Sequence, residues 1–174
     1  MLDNSKNRAN IISVIKLQKT HDLEVVRQRI INESLRHAKM RSTLVKFAGQ
    51  YFFKELPLDQ LKEHHARNLT YIDSLKSEAD IADLAALEQS VRDPLDTLQF
   101  KAYFQREFQQ HYSLVVFKMH HSVADGVAIV SMTAACTDRG YQRKDYPRLT
   151  PKLAPLQKLI ATAVMYLSLP YAIY

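Results

Sequence analysis

Apolar and polar positions follow strand-like patterns in three parts of this chain. Residues 11–17 are a short, mostly apolar run, and residues 97–104 alternate between apolar and polar side chains. Residues 112–119 are almost continuously apolar and follow a polar stretch, residues 106–111, that predicts a turn. We therefore expect a strand at each position, with the last two forming an antiparallel pair near the centre of a sheet. The alternation predicts that one face of the middle strand is buried and carries Leu98, Phe100, Ala102 and Phe104.

Helical spacing of apolar residues occurs in three other segments. Residues 21–37 place Leu23, Val26, Ile30 and Leu35 on one face, with Thr20 or Asp22 as the N-cap. Residues 80–91 predict a second helix that ends before Asp93-Pro94, because the residue before proline avoids the helical region. Residues 126–137 are apolar almost all round and predict a buried third helix. The inward residues predicted for the second helix are Ile81, Leu84, Leu87 and Val91.

The remaining segments complete a mixed pattern. Residues 43–56 predict two short strands interrupted at Ala48-Gly49-Gln50, and residues 57–79 predict a loop with a short extended piece at 69–72. The pair His64-His65 is interpreted as solvated surface. The order of elements predicts an α/β domain with a mixed sheet flanked by helices.

Composition and charge narrow the class of protein. The chain has 174 residues, of which 47% are hydrophobic and 24% charged, so we expect one folded domain. Residues 1–10 are polar, lack the apolar core of a signal peptide and are expected to be a disordered lead. A net charge of +6 suits anionic partners such as CoA phosphates or an acidic membrane surface. Because the basic residues are scattered, no nucleic-acid partner is expected.

A single cysteine, Cys136, excludes an internal disulfide and is compatible with a reducing, intracellular compartment. Its apolar surroundings favour a small buried side chain over a nucleophile. No Gly-x-Ser-x-Gly sequence is present either. The chain therefore offers no evident nucleophile for a covalent mechanism.

Residues 119–126 read Met-His-His-Ser-Val-Ala-Asp-Gly, a His-His-x-x-x-Asp-Gly motif between an apolar strand and an apolar helix. An imidazole with an ordinary pKa of about 6.5 is mostly neutral near pH 7 and suits general-base chemistry. Neighbouring residues on a strand point to opposite faces, so His120 and His121 are not expected to share a metal ion. Two structural alternatives remain open, in which the histidines only stabilise the strand end and Asp125 only caps the helix.

The motif, and the order of predicted elements over residues 17–138, resemble the first half of the wax ester synthase / diacylglycerol acyltransferase family. Pro94-Leu95 also matches the family, where a Pro-Leu segment precedes the strand pair. The family belongs to the CoA-dependent acyltransferases with a chloramphenicol-acetyltransferase-like fold. The resemblance implies that residues 11–140 are an N-terminal half-domain whose second half, or a second chain acting in its place, is a partner.

The same resemblance implies a function and assigns roles to the motif. A long-chain acyl group would pass from acyl-CoA to a fatty alcohol or diacylglycerol, with acyl-CoA as substrate, no cofactor and no covalent intermediate. His121 would be the general base and His120 a supporting neighbour. Asp125 would orient the loop through an ion pair, and Gly126 would permit a tight turn into the helix.

The C-terminal part predicts a linker at residues 141–155 and an apolar helix at residues 156–174. The apolar stretch is too short to span a bilayer and contains Pro170. It would lie on a membrane surface or pack against another part of the protein. We therefore expect an intracellular, membrane-associated protein, at the endoplasmic reticulum or a lipid droplet in a eukaryote. An alternative function is a catalytically incomplete half-domain that serves as a membrane-surface binding module.

Overall fold

The structure is a computed structural model that describes residues 9–18 and 22–136. Most of the predicted lead, the linker at 141–155 and the apolar segment at 156–174 lie outside these residues. The described elements, in chain order, are β1 (Asn10–Gln18), α1 (Leu23–Arg36), a 3-10 helix (Ala38–Arg41), β2 (Ser42–Phe47), β3 (Gln50–Glu55), α2 (Leu58–Asn68), β4 (Leu69–Tyr71), α3 (Glu78–Ser90), β5 (Phe100–Phe108), β6 (Tyr112–His120) and α4 (Gly126–Ala135).

The main sheet has four strands in the order β1-β6-β5-β4. Strands β1, β6 and β5 are antiparallel neighbours, whereas β4 runs parallel to β5. Strands β2 and β3 form a separate hairpin, whose turn at Ala48 and Gly49 has φ of 48° and 80°. Positive φ at both central residues is typical of a tight hairpin turn and favours glycine at the second. The predicted mixed sheet flanked by helices is confirmed, as is the central antiparallel pair.

Helices cover both faces of the sheet. One hydrophobic cluster joins the sheet residues Phe100 and Phe117 to Ile30 of α1 and Met132 of α4. A second cluster lies on the opposite face, where Val116 and its neighbours pack against α3. The four residues predicted to face the core from the middle strand are all fully buried. Strand β5 starts later than predicted and runs to Phe108, because a bulge carries its pairing past Gln105.

The prediction of a loop at residues 57–79 is wrong for its first half, where α2 forms. The buried face of α2 consists of Leu61, His65 and Asn68, so two of its three inward positions are polar. Helical periodicity of apolar residues was therefore missing from the sequence. His65 is not solvated as predicted, since it is only 4% exposed and lies against Ser34 of α1.

Two helices are more exposed than predicted. On α3, Ile81 is buried but Leu87 is 58% exposed, and the charged Glu88 occupies a buried position instead. On α4, Ile129 is buried, while Val127 is 49% exposed. A helix that lies on one face of a sheet buries only one side, so apolar composition alone overestimated the burial of α4. Within the described ranges, no helix is both long and apolar enough to cross a bilayer.

Candidate active site

The His-His-x-x-x-Asp-Gly motif lies at the end of a central strand. Strand β6 ends at His120, a turn occupies residues 121–123, and α4 begins at Gly126. The N–H of Val123 donates to the His120 carbonyl at 2.9 Å and closes the turn. The chain therefore leaves the sheet within a few residues, and both histidines lie at the C-terminal end of β6.

His120 is held by its own turn. Its Nδ1 lies 2.8 Å from the Ser122 hydroxyl and accepts the Ser122 backbone N–H at 3.2 Å. Because Nδ1 accepts that N–H, the neutral ring carries its proton on Nε2. The His120 ring is thus fixed in orientation, as a supporting residue would be.

His121 is bound through its backbone, not its side chain. Its N–H donates to the Ala9 carbonyl at 2.8 Å. The residue is half-buried, and among the described residues its imidazole has no hydrogen-bond partner. The described part of the chain therefore leaves both ring nitrogens available to a ligand, which is the condition that a general base must meet.

Asp125 caps α4. Its carboxylate accepts the Ala128 N–H at 2.8 Å, an N-cap bond that satisfies one of the free amides of the first helical turn. Within the described part of the chain, no lysine or arginine lies within ion-pair distance of it. The structure thus contains the capping bond, and the ion pair that the resemblance implied stays a prediction.

Gly126 is not required by the geometry of the turn. Its φ is not positive, and a Cβ at this position would meet no atom within 4 Å. The backbone geometry therefore places no steric demand for glycine at the start of α4. The open space in front of Gly126 is itself a feature of the site.

Lys39 of the 3-10 helix contacts the motif and was missed by sequence reasoning. Its ammonium donates to the Ser122 carbonyl at 2.9 Å and lies 5.4 Å from the centre of the Phe53 ring. The contact ties the β2–β3 hairpin region to the turn that carries both histidines. No local sequence signal marks this lysine, because its partner is 83 residues away along the chain.

A pocket of about 410 Å³ opens beside the motif turn. The motif residues Val123 and Ala124 form part of one wall, and Met132 of α4 contributes an apolar surface. Glu33 and His37, at the end of α1, supply polar groups. A mostly apolar lining with a few polar groups is typical of a ligand pocket, although neither motif histidine is among the lining residues.

The remaining candidate chemistry is limited. Burial raises the pKa of the Cys136 thiol to about 11, which keeps the thiol protonated near neutral pH. Among the described residues, no group of three or more His, Cys, Asp or Glu side chains is placed to hold a metal ion. The motif turn and the pocket beside it are therefore the candidate site.

The sequence matches no family model and no curated protein. Solved structures with a similar fold include the first condensation domain of the CDA synthetase (TM-score 0.58, 13% identity) and the SgcC5 protein from Streptomyces globisporus (TM-score 0.54, 19% identity). A third concerns condensation-domain-mediated chain release from the enacyloxin polyketide synthase (TM-score 0.52, 19% identity). The alignments cover 92%, 91% and 88% of this chain but 39%, 37% and 29% of those chains.

These likenesses define the class of fold. The chain has a fold similar to part of a condensation domain and spans well under half the length of the structures that it matches. At such low identities the likeness concerns the fold alone. The narrower wax ester synthase / diacylglycerol acyltransferase assignment has no matching relative and is taken up as a proposal.

Proposed function

We propose that this chain is the N-terminal half of an acyl-CoA-dependent O-acyltransferase of the wax ester synthase / diacylglycerol acyltransferase type. The acceptor is a fatty alcohol or diacylglycerol, and the general base is His121. The observation that carries this proposal is the contrast between the two motif histidines. His120 is bonded to Ser122, whereas the imidazole of His121 is free among the described residues.

The reaction needs one base and no covalent intermediate. As the acceptor hydroxyl oxygen attacks the thioester carbonyl, His121 takes the hydroxyl proton, and a tetrahedral oxyanion forms. When the C–S bond breaks, the CoA thiolate leaves and takes that proton from the imidazolium. Ester and CoA–SH are the products, and the base is regenerated without a cofactor.

Neighbouring residues keep His121 in place. Ser122 and Lys39 fix the turn, and Asp125 fixes the start of α4. Positioning matters because a small displacement of a base from the proton that it removes costs much of its effect. This division of roles agrees with a single proton-transfer group at residue 121.

A second half-domain or a second chain completes the site in this proposal. The fold relatives are more than twice as long as this chain, and ligand pockets favour interfaces between domains. Hydrogen-bond donors for the oxyanion would come from that partner. The pocket beside Val123 and Ala124 would then form one wall of a lipid-binding tunnel.

The test is acyl transfer from labelled palmitoyl-CoA to hexadecanol and to diacylglycerol. The chain is assayed alone and with the second half of a wax ester synthase, a mixture that we call the completed enzyme. The variant His121→Ala and the control His111→Ala are assayed in the same way. His111 lies at the opposite end of β6 in an exposed turn. The proposal expects ester from the wild type and the control, and none from His121→Ala. Equal ester from His121→Ala, or none from the completed wild type with either acceptor, would overturn it.

A different reaction within the CoA-dependent acyltransferases would use another acceptor. Adding an amine acceptor to the same assay distinguishes that reaction from transfer to an alcohol. An amine that reacts while both alcohols fail would keep His121 as the base and change the acceptor class. The product then contains an amide, which hydroxylamine does not cleave under conditions that cleave the thioester donor.

The second candidate function is a membrane-surface binding module, favoured by the surface of the β2–β3 hairpin. Phe47 is 73% exposed, and Tyr51 and Phe52 are also exposed beside Lys46. Aromatic side chains next to lysines suit an anionic membrane interface. Sedimentation with phosphatidylserine vesicles tests it, because this function expects Phe47→Ser to reduce binding and His121→Ala to leave it unchanged. An intracellular, membrane-associated location would follow from either function.

A further inference from the structure

We infer that Lys118 is a positioning residue for the two motif histidines and acts through a buried ionic cluster beneath the end of α3. We define the ionic cluster as Glu88, Asp93, Lys101 and Lys118. Its consequence for catalysis rests on the proposed function, whereas its geometric consequence for the motif turn does not.

Lys118 is the centre of this cluster. It lies on β6, two residues before His120, and is 0% exposed. Its ammonium is 3.1 Å from Glu88 Oε2, 3.0 Å from Asp93 Oδ2 and 3.0 Å from the Val91 carbonyl oxygen. The ammonium therefore hydrogen-bonds to Glu88 and Val91 and pairs with Asp93, and all three residues lie at or just after the end of α3.

The cluster is charge-balanced. Lys101 of β5 lies 2.6 Å from the other oxygen of Asp93, so two lysines face two carboxylates. The Tyr103 hydroxyl donates to Glu88 and completes the set. Buried ion pairs are weak evidence for stability, because apolar side chains of similar volume often do as well. Fixing the positions of the residues around it accounts for such a cluster better than a contribution to stability does.

Two series of hydrogen bonds, here called arms, lead from the cluster to the motif. The first arm reaches His121 through Asn10. The Asn10 amide donates to the Val91 carbonyl at 3.1 Å, so Val91 accepts from both Asn10 and Lys118. The preceding residue, Ala9, has a φ of 50°, an uncommon conformation for a residue with a side chain. Its carbonyl accepts the His121 N–H at 2.8 Å. Anchoring Asn10 therefore holds Ala9 in the conformation that binds His121.

A second arm leads to His120 through the loop between α3 and β5. Asp93 lies in this loop, and the carbonyl of the next residue, Pro94, accepts the Gln99 side-chain amide at 3.0 Å. The Gln99 backbone carbonyl in turn accepts the His120 N–H at 2.9 Å. The two arms thus start at Lys118 and end at the amides of consecutive motif residues.

The test compares hydrogen exchange of individual amides in the full chain by NMR, for wild type, Lys118→Met and a control, Lys16→Met. Lys16 is also a strand lysine paired with α3, but it contacts Glu78 at the far end of that helix and is partly exposed. In Lys118→Met we expect the protection of the His120 and His121 amides to fall about tenfold more than that of the β5–β6 ladder centre. In Lys16→Met the protection of these two amides should change by the same factor as that of the β5–β6 ladder centre.

A second variant covers the case in which Lys118→Met fails to fold, since it leaves buried carboxylates short of a partner. Asn10→Ala removes one arm without stranding a charge. We expect selective loss of protection at His121 while His120 keeps the protection of the ladder. Equal changes throughout the ladder, or unchanged histidine amides in a folded variant, would overturn the inference.

Exchange needs no enzymatic activity, so the two hypotheses fail separately. Selective loss in a chain that transfers no acyl group even when completed would retain the positioning role and refute the proposed function. Where transfer is measured, we expect Asn10→Ala to lower kcat about tenfold with little change in KM, because the base is displaced while the substrate pocket is kept. An unchanged kcat with selectively exposed histidine amides would refute the catalytic consequence.

Discussion

His65 donates a hydrogen bond to Ser34 across the buried contact between α2 and α1, with 3.0 Å between Nε2 and Oγ. The Ser34 hydroxyl gives its own hydrogen to the Ile31 carbonyl at 2.7 Å, so it can only accept from the imidazole. Nε2 of His65 therefore carries a proton. Burial, helped by the charge of Arg27 and by His64, lowers the pKa of His65 to about 4.

This geometry predicts an acid-sensitive fold. The unfolded chain binds a proton at His65 with a pKa near 6.5, whereas the folded chain resists protonation down to about pH 4. The stabilising contribution of neutral His65 is complete above pH 6.5 and is lost as the pH falls from 6.5 to 4. Between pH 7 and pH 4.5 we expect the free energy of unfolding to fall by about 2 kcal/mol from this group. Urea unfolding at both pH values measures it.

The variant His65→Gln should flatten that dependence, because glutamine cannot take up the proton. His111→Gln is the matched control, since His111 is exposed in the β5–β6 turn and should leave the pH dependence unchanged. An equally steep dependence in His65→Gln would contradict the assignment of a buried neutral imidazole.

Helix α2 supplies a second test, on stability. Leu61 is 1% exposed and Leu58, in the same helix, is 67% exposed. Leu61→Ala should destabilise the fold by about 2–5 kcal/mol through lost burial and a residual cavity. Leu58→Ala should stay within about 0.5 kcal/mol of the wild type. Similar effects of the two substitutions in thermal unfolding would refute the helix as placed.

The thiol of Cys136 supplies a third test. A pKa near 11 leaves far less thiolate at pH 8 than an ordinary thiol has. We expect iodoacetamide to modify the native chain at least about tenfold more slowly than the urea-unfolded chain. Equal rates would show that Cys136 is not in the buried setting described.

Lys39 provides a fourth test, on the motif turn. Lys39→Met removes the bond to the Ser122 carbonyl but keeps an apolar side chain near Phe53. We expect acyl transfer by the completed enzyme to fall about threefold to tenfold, with the melting temperature nearly unchanged. Lys46→Met is the control, because Lys46 also lies over an aromatic ring, that of Tyr51, but makes no contact with the motif. Equal activity of the two variants would show that Lys39 does not contribute to the active site.

Sequence patterns predicted the elements whose burial is regular. Strand β5 alternates between buried and half-buried positions from Phe100 to Phe104. Strand β6 is apolar on both faces because helices cover both sides of the sheet. The two strands on either side of Gly49 were also predicted. Where one face of an element meets one continuous core, periodicity is sufficient to recognise it.

The sequence failed where polar residues occupy buried positions. His65 of α2 and Glu88 of α3 can be buried because each has a polar partner. These partners, Ser34 and Lys118, lie 31 and 30 residues away in the sequence. Such pairing depends on the tertiary fold and leaves no local pattern. For the same reason the motif directed attention to His121, but not to Lys39 or Lys118, whose importance is spatial.

The most direct test of the central claim is the relative effect of His121→Ala and His120→Ala on ester formation by the completed enzyme. A free base at His121 and a bonded, supporting ring at His120 predict unequal losses. We expect His121→Ala to lose at least about 10²-fold in kcat, the typical contribution of general-base catalysis, and His120→Ala to lose clearly less. If His120→Ala abolished ester formation while His121→Ala kept it, the assignment of the general base would be wrong.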